Sequence, residues 1–171
     1  LLLIEGIAKM PSELKPIAAS NFYFEIDGMT DMAFSKVGRV KFEAKVKGQD
    51  KPLMSTKGGT TIRQINSAGF EGLFTIEVTT LMSGDSDSTS KKMYEWFKKC
   101  MPKTEKGEGK WAESKKTGSI TAYDTDGKEV MRWELKEAWP SEYKIGDLDV
   151  NGNDYIEETY TLTCENMNRK T

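Results

Sequence analysis

Residues 123–167 read YDTDGKEVMRWELKEAWPSEYKIGDLDVNGNDYIEETYTLTCENM, and the period of that stretch decides the fold. Met131, Trp133 and Leu135 alternate with Arg132, Glu134 and Lys136. That two-residue period is a strand with one face toward a core. Ile156, Tyr160, Leu162 and Cys164 repeat the rule over 155–164. Asp124-Thr125-Asp126-Gly127 is a hairpin turn of the Asp-Gly type, joining a strand over Ser119–Tyr123 to one over Glu129–Trp139.

Between these strands lies a run with calcium-loop spacing. Asp147, Asp149 and Asn151 take its first, third and fifth places, Gly152 the sixth and Glu158 the twelfth. Its surroundings oppose an EF-hand. Ala138-Trp139-Pro140-Ser141 upstream breaks helix, the run downstream alternates as strand, and Asp154 fills the usually apolar eighth place. The preferred reading is a β-connection rich in turn formers, with a calcium role as its competitor.

Working outward, NFYFEIDG alternates Phe22, Phe24 and Ile26 against Tyr23, Glu25 and Asp27. Val40, Phe42, Ala44 and Val46 alternate with Lys41, Glu43, Lys45 and Lys47, a half-buried strand with one charged face. Gln49–Gly59 reads as a long exposed connection, Thr60–Ile65 as a short strand, and Leu73–Thr80 as another alternating strand. One segment changes period. Met93, Trp96, Phe97, Cys100 and Met101 form the stripe of an amphipathic helix over 88–101. The Asp85–Ser88 cluster supplies its N-cap and Pro102 its stop. Lys103–Lys116 reads as a charged loop, with the next strand starting from Trp111. The sum is a mainly β fold of about seven to nine antiparallel strands, a small barrel or sandwich flanked by one helix. Residues 1–16, interrupted by Pro11 and Pro16, read as an arm before a single domain over 17–171.

Composition excludes several function classes. The 171 residues carry a net charge of −2, so no basic excess points to nucleic acid or an anionic membrane. No apolar run approaches the roughly 20 residues of a membrane span, and Leu1-Leu2-Leu3-Ile4 lacks the basic flank of a signal peptide. Histidine is absent, which removes the commonest general base and zinc ligand. Cys100 and Cys164 read as two reduced, semi-buried thiols. Lys57-Gly58-Gly59-Thr60 lacks the order and the helix of a phosphate loop. Asp124/Asp126 sit in a turn, and Glu157/Glu158 face opposite ways, so neither pair cooperates. Trp133 and Trp139 suit core packing and an interface better than a sugar platform. Nothing assembles a nucleophile, base and oxyanion donor. No enzyme, metal or cofactor is expected.

The opening stretch resembles the tail-tube proteins of contractile phages and of phage-tail-like contractile injection systems. The likeness is carried by Asp124 to Gly127, Val130 to Trp133, Ala138 to Tyr143 (A-W-P-x-x-Y), Asp147 to Asn153 and Ile156 to Leu162. Phe22 to Gly28, Phe34 to Val37 and Tyr94-Glu95-Trp96 extend it, so that it covers residues 20–167. Gly38-Arg39-Val40 departs from the family's S-G-L, and Thr79-Thr80 replaces its Lys-Arg.

The resemblance implies a β-barrel subunit, similar to the type VI secretion ring protein, that forms homohexameric rings stacked into a hollow tube. The partners it implies are a contractile sheath, baseplate or hub and cap proteins, and payload protein or DNA in the lumen without sequence-specific binding. It implies assembly in the bacterial cytoplasm into a virion or an injection particle, with release outside the cell possible. The assembly-interface residues expected on this basis are Leu1, Leu2, Leu3, Ile4, Lys47, Gln49, Asp50, Lys51, Pro52, Leu53, Met54, Trp139, Pro140 and Tyr143. The alternatives are a tube-initiator or baseplate-hub component and, from another class, a calcium- or carbohydrate-binding β-module.

Overall fold

Alternation becomes strand first at β1 (Phe22–Ile26), where Phe24 and Ile26 are buried and Tyr23 and Glu25 exposed. The computed structural model describes residues 17–48, 54–55, 57–59, 61–62, 65–70 and 74–170. After β1 come β2 (Lys36–Val37), β3 (Ala44–Gly48), β4 (Met54–Ser55), β5 (Thr61–Ile62), β6 (Ile65–Phe70) and β7 (Phe74–Leu81). Then follow the helix α1 (Thr89–Cys100), β8 (Lys116–Tyr123), β9 (Glu129–Ile145), β10 (Glu157–Cys164) and β11 (Asn166–Lys170).

Seven strands make one antiparallel sheet in the order β1-β8-β9-β10-β7-β2, with β11 also on β9. β9 is its spine. The first half of β9 lies between β8 and β11, and the second half pairs with β10. β10 and β11 form one run along it, interrupted at Glu165. The expected mainly β fold with one helix is what forms, but the sheet is not closed. Among the described residues β1 and β2 do not pair, so a barrel gives way to an open, curled sheet with a seam.

Two local irregularities let β9 serve both halves. Its register against β8 shifts between Lys116 and Gly118, and Glu137 there has φ 52°. The bulge flips the parity, so Leu135 and Ala138 are both buried. A second shift, between Thr161 and Leu162, accommodates the buried Pro140, which lacks the ladder N–H. The sequence reading ended this strand at Trp139; the bulges carry it on to Ile145. The β8–β9 turn is the expected one. Gly127 has φ 76°, and the Asp124 carboxylate accepts the N–H groups of Asp126 and Lys128 at 3.0 and 2.9 Å.

Other expectations shift at their edges. The strand read from Val40 begins at Ala44, and the one read from Trp111 begins at Lys116. The connection read over Gln49–Gly59 contains β4, paired with β5 across Lys57–Gly59. β6, paired with β3, and β11 had no forecast.

α1 forms as expected. Ser88 caps it, its hydroxyl accepting the Lys91 N–H at 3.3 Å, while Asp87 pairs with Lys92 at 3.0 Å. Met93, Trp96 and Cys100 are buried against the sheet, and the Trp96 indole N–H donates to the Ser114 carbonyl at 2.6 Å. The core joins them to Phe24, Ile26, Ile76, Val78, Leu135, Tyr160, Leu162 and Met167. Each large aliphatic side chain buried there contributes about 1.5–3 kcal/mol. No helix among the described residues is long and apolar enough to cross a membrane.

Candidate assembly interface

The sheet's margins come first, because a β-protein recognises its own kind most directly through unpaired edges. Among the described residues β1 and β2 end the strand order, and β11 pairs only with β9. Tyr123 N–H donates to Asn21 and Asp27 N–H to Thr117, so residues 21, 23, 25 and 27 bond toward β8. The peptide groups of Phe22 and Phe24 therefore point away from the sheet.

The face of β7, β10 and the second half of β9 opposite the buried aromatics is rich in hydroxyl groups and charges. Thr79 and Thr159 hydroxyls meet at 3.0 Å, and Thr161 donates to Glu142 at 3.2 Å. Lys144 sits between Glu142 and Glu77 at 3.4 and 3.5 Å. The Glu142 hydrogen bond and charge raise the lysine's pKa, with Glu77 adding to them. Elsewhere on the sheet, Arg132 forms a two-point pair with Glu129 at 2.8 Å for both bonds, which lowers the carboxylate's pKa.

The other face holds an aromatic cluster. Tyr143 lies 5.0 Å from Tyr160 and 5.5 Å from Tyr94 between ring centroids, with Phe97 beside it. Glu158, 3 % exposed, turns its carboxylate into this cluster and accepts the Tyr143 hydroxyl at 2.7 Å. Burial, then the hydrogen bond and charge of Glu158, push the Tyr143 hydroxyl far above the ordinary phenol range.

That geometry takes Glu158 out of the calcium loop. Its carboxylate faces Tyr143, whereas Asp149 accepts the Asn151 N–H at 2.9 Å as a turn former. No group of three or more His, Cys, Asp or Glu residues is placed to hold a metal among the described residues. Cys100 and Cys164 are free and buried. Trp139 packs against Trp111 with ring centroids 5.7 Å apart and planes tilted by 49°, and Trp133 lines a groove, so Trp133 and Trp139 do not share one platform.

The expected interface residues separate into three groups. Leu1, Leu2, Leu3, Ile4, Gln49, Asp50, Lys51, Pro52 and Leu53 lie outside the described residues. Lys47 and Met54 are placed by backbone in β3 and β4. Trp139 and Tyr143 are half-buried and Pro140 buried within the protomer. What sequence reading missed is the β9–β10 loop. Leu148, Val150 and Tyr155 are 72, 100 and 83 % exposed, and Leu81, Met82, Ile145 and Ile156 extend the apolar surface. The signal was present in GDLDVNGNDYIEE, where these side chains sit among turn formers with no strand to bury them.

No curated protein matches the sequence. Among solved structures, the chain is similar to one from the sheath-tube complex of the extracellular contractile injection system PVC. That likeness has 16 % identity and a TM-score of 0.64 over 91 % of this chain and 92 % of the other. It is similar also to a chain of the PVC sheath/tube terminator structure, with 14 % identity and a TM-score of 0.69 over 94 and 100 %. A chain of the anti-feeding prophage tube-terminating cap gives 15 % and 0.69 over 98 and 99 %. At such identities these likenesses establish a shared fold. The family model of the T4-like virus tail tube protein gp19 matches residues 18–168, and the chain belongs to that family of structural tail tube proteins.

Proposed function

We propose that the protein is the inner-tube subunit of a contractile tail or contractile injection machine, closing into hexameric rings that stack into a hollow conduit. The observation that carries this reading is the tail tube family match over 18–168 on a sheet whose end strands β1 and β2 stay unpaired with each other among the described residues. A long strand edge left open invites aggregation, and a closed ring of identical subunits removes it. The hydroxyl-rich face of β7, β10 and the end of β9 lines the bore. It offers short polar groups and self-paired charges that wet the lumen without gripping a payload, protein or DNA. The helix side faces outward, toward a sheath.

Contacts along the tube come from the arm over 1–16, from the 47–59 region and from the apolar β9–β10 loop, which packs on the next copy. Sheath, baseplate or hub and cap proteins complete the particle, which assembles in the bacterial cytoplasm. The work is mechanical, with no turnover. Residues 17–171 act as one tube domain behind the arm. A second reading, a component at one end of the tube, rests on the likeness to the terminator and cap chains. Negative-stain microscopy of the purified protein separates these readings. Hollow rods are expected; rings that never stack assign the protein to a tube end; a monomer persisting at high concentration overturns both.

A further inference from the structure

Charge is segregated along the chain. Lys91 to Lys116 holds nine lysines and four glutamates, in a protein whose net charge is −2. No lysine or arginine occurs between Lys144 and Arg169, a span that carries the exposed acids Asp147, Asp149, Asp154 and Glu157. The basic part is compact. The chain turns at Pro102 and folds back over the last turn of α1. Glu108 N–H donates to the Lys98 carbonyl at 3.1 Å, Lys110 N–H to Lys99 at 2.9 Å and Gly109 N–H to Met101 at 2.8 Å. These bonds satisfy carbonyls that a helix end leaves open, and they gather Lys98, Lys99, Lys103, Lys106 and Lys110 into one exposed knob. Among the described residues only Lys110 of the five is ion-paired, to Glu108 at 3.5 Å. The helix dipole presents only about half a negative charge here, so it does not account for five lysines. Beside the knob Trp111 stays exposed, although Trp139 and Lys115 pack against it.

The β9–β10 loop is the complement of this surface in both respects. It sets Asp147, Asp149 and Asp154 among Leu148, Val150 and Tyr155, all of them exposed. Val150 is wholly exposed, so the loop does not rest on its own protomer. Its own knob is also distant. Trp139, which packs on Trp111, lies six residues before Ile145 on β9, about 20 Å of extended strand. A nucleic acid or another plain polyanion would use the lysines alone and leave Trp111 uncovered. An acidic loop with apolar side chains uses both.

We propose that the lysine knob and Trp111 of one copy receive the β9–β10 loop of the next copy, with Asp147 and Asp154 meeting Lys103 and Lys106 while Leu148, Val150 and Tyr155 cover the Trp111 ring. The inference rests on the tube reading and names the surface on which the loop packs. Two different patches that meet in this way make a heterologous contact, which repeats from copy to copy and closes a ring or extends a stack. The opposite charges fix the register and disfavour loop on loop or knob on knob. Because the knob lies at the C-terminal end of α1, the exposed Lys91, Tyr94 and Glu95 nearer its start remain available on the outside.

Charge swaps in the full chain test it. Asp147→Lys with Asp154→Lys reverses the loop, and Lys103→Glu with Lys106→Glu reverses the knob; all four side chains are exposed. Each double variant should keep the parent's circular dichroism and lose at least about tenfold in the yield of rods or rings by sedimentation, because like charges then face each other. Mixing the two variants in equal amounts should restore assembly to near the parental yield, since each reversed loop finds a reversed knob and each native loop a native one. Assembly at the parental yield by either double variant, or a mixture no better than its components, overturns the proposal. Retention of polyglutamate or duplex DNA by the parent, lost in a reversed-knob variant that still assembles normally, assigns the knob to another anionic partner and overturns it too. A second measurement leaves every charge in place. Val150→Cys and Ala112→Cys, carried by separate chains and oxidised after assembly, should give a disulfide-linked dimer several-fold faster than Val150→Cys with Val130→Cys, at the far end of β9; equal rates count against the contact. A parent that stays monomeric at high concentration overturns the tube reading and this contact together, whereas rods formed by parent and variants alike overturn this contact alone.

Discussion

Glu158 shows how much one side chain can demand of its surroundings. Its Oε1 accepts the Tyr143 hydroxyl, while Oε2 and the Tyr160 hydroxyl have no partner among the described residues. A buried acceptor deprived of its donor costs about 1–3 kcal/mol. Tyr143→Phe should therefore lower unfolding stability by that order in urea, and adding Glu158→Leu should restore part of the loss, because the pair then leaves no buried carboxylate without its donor. Full additivity of the two substitutions would show that the hydrogen bond carries no such coupling. The cysteines give a pH prediction. Burial pushes Cys100 up to about 11 and Cys164 up to about 12, above the about 8.5 of a free thiol. Between those values the unfolded chain has lost protons that the folded chain keeps, so stability is complete below the free-thiol value and falls as pH rises through the folded ones. From pH 8 to pH 10 each thiol should remove about 1 kcal/mol or more. Cys100→Ala with Cys164→Ala should flatten that slope; an unchanged slope would assign it to other groups.

At the level of elements, the sequence was most readable where one face is buried and the other wet. Phe24/Ile26, Ile76/Val78 and Tyr160/Leu162/Cys164 announced β1, β7 and β10, and the Met93–Trp96–Cys100 stripe announced α1 almost to the residue. The same rule hid what does not alternate. β11, NMNRK, buries only Met167, and β6, INSAGF, lacks the alternation of its neighbours, so neither shows a period. The bulges of β9 were invisible because a bulge breaks the period by which strands are recognised. Leu135 and Ala138, three apart, look like helix spacing and lie on one side only because Glu137 adopts φ 52°. Of the interface, the apolar loop was present in the letters but had no periodicity to flag it. A β-branched residue tolerates the left-handed region poorly, at a cost of roughly 1–2 kcal/mol. Glu137→Val should thus lower the thermal midpoint, whereas Glu137→Gly should leave it unchanged or higher. A valine variant as stable as the parent would mean that the bulge relocates freely along β9.

For the molecule as a whole, the distribution of exposed apolar surface is the feature its own stability does not explain. Leu148, Val150 and Tyr155 stand in solvent on one loop, and Leu81, Met82, Ile145 and Ile156 are exposed at the same end of the sheet. The fold gains little from them there, since surface substitutions away from special features change stability within about 0.5 kcal/mol. Contiguous exposed apolar patches on soluble domains mark contacts with something else, and in a tube the nearest surface is another copy. Folding and assembly should accordingly separate. The triple variant Leu148→Ser, Val150→Ser, Tyr155→Ser is expected to keep its urea midpoint while the yield of rods or rings, counted by negative stain and sedimentation, falls at least about tenfold, the factor for a loss of 1.4 kcal/mol per contact. A matching loss of stability would return these side chains to the protomer's own packing. Assembly at the parental yield would exclude the loop from the contact and leave the outer edges of β1, β2 and β11, open among the described residues, to hold the subunits together.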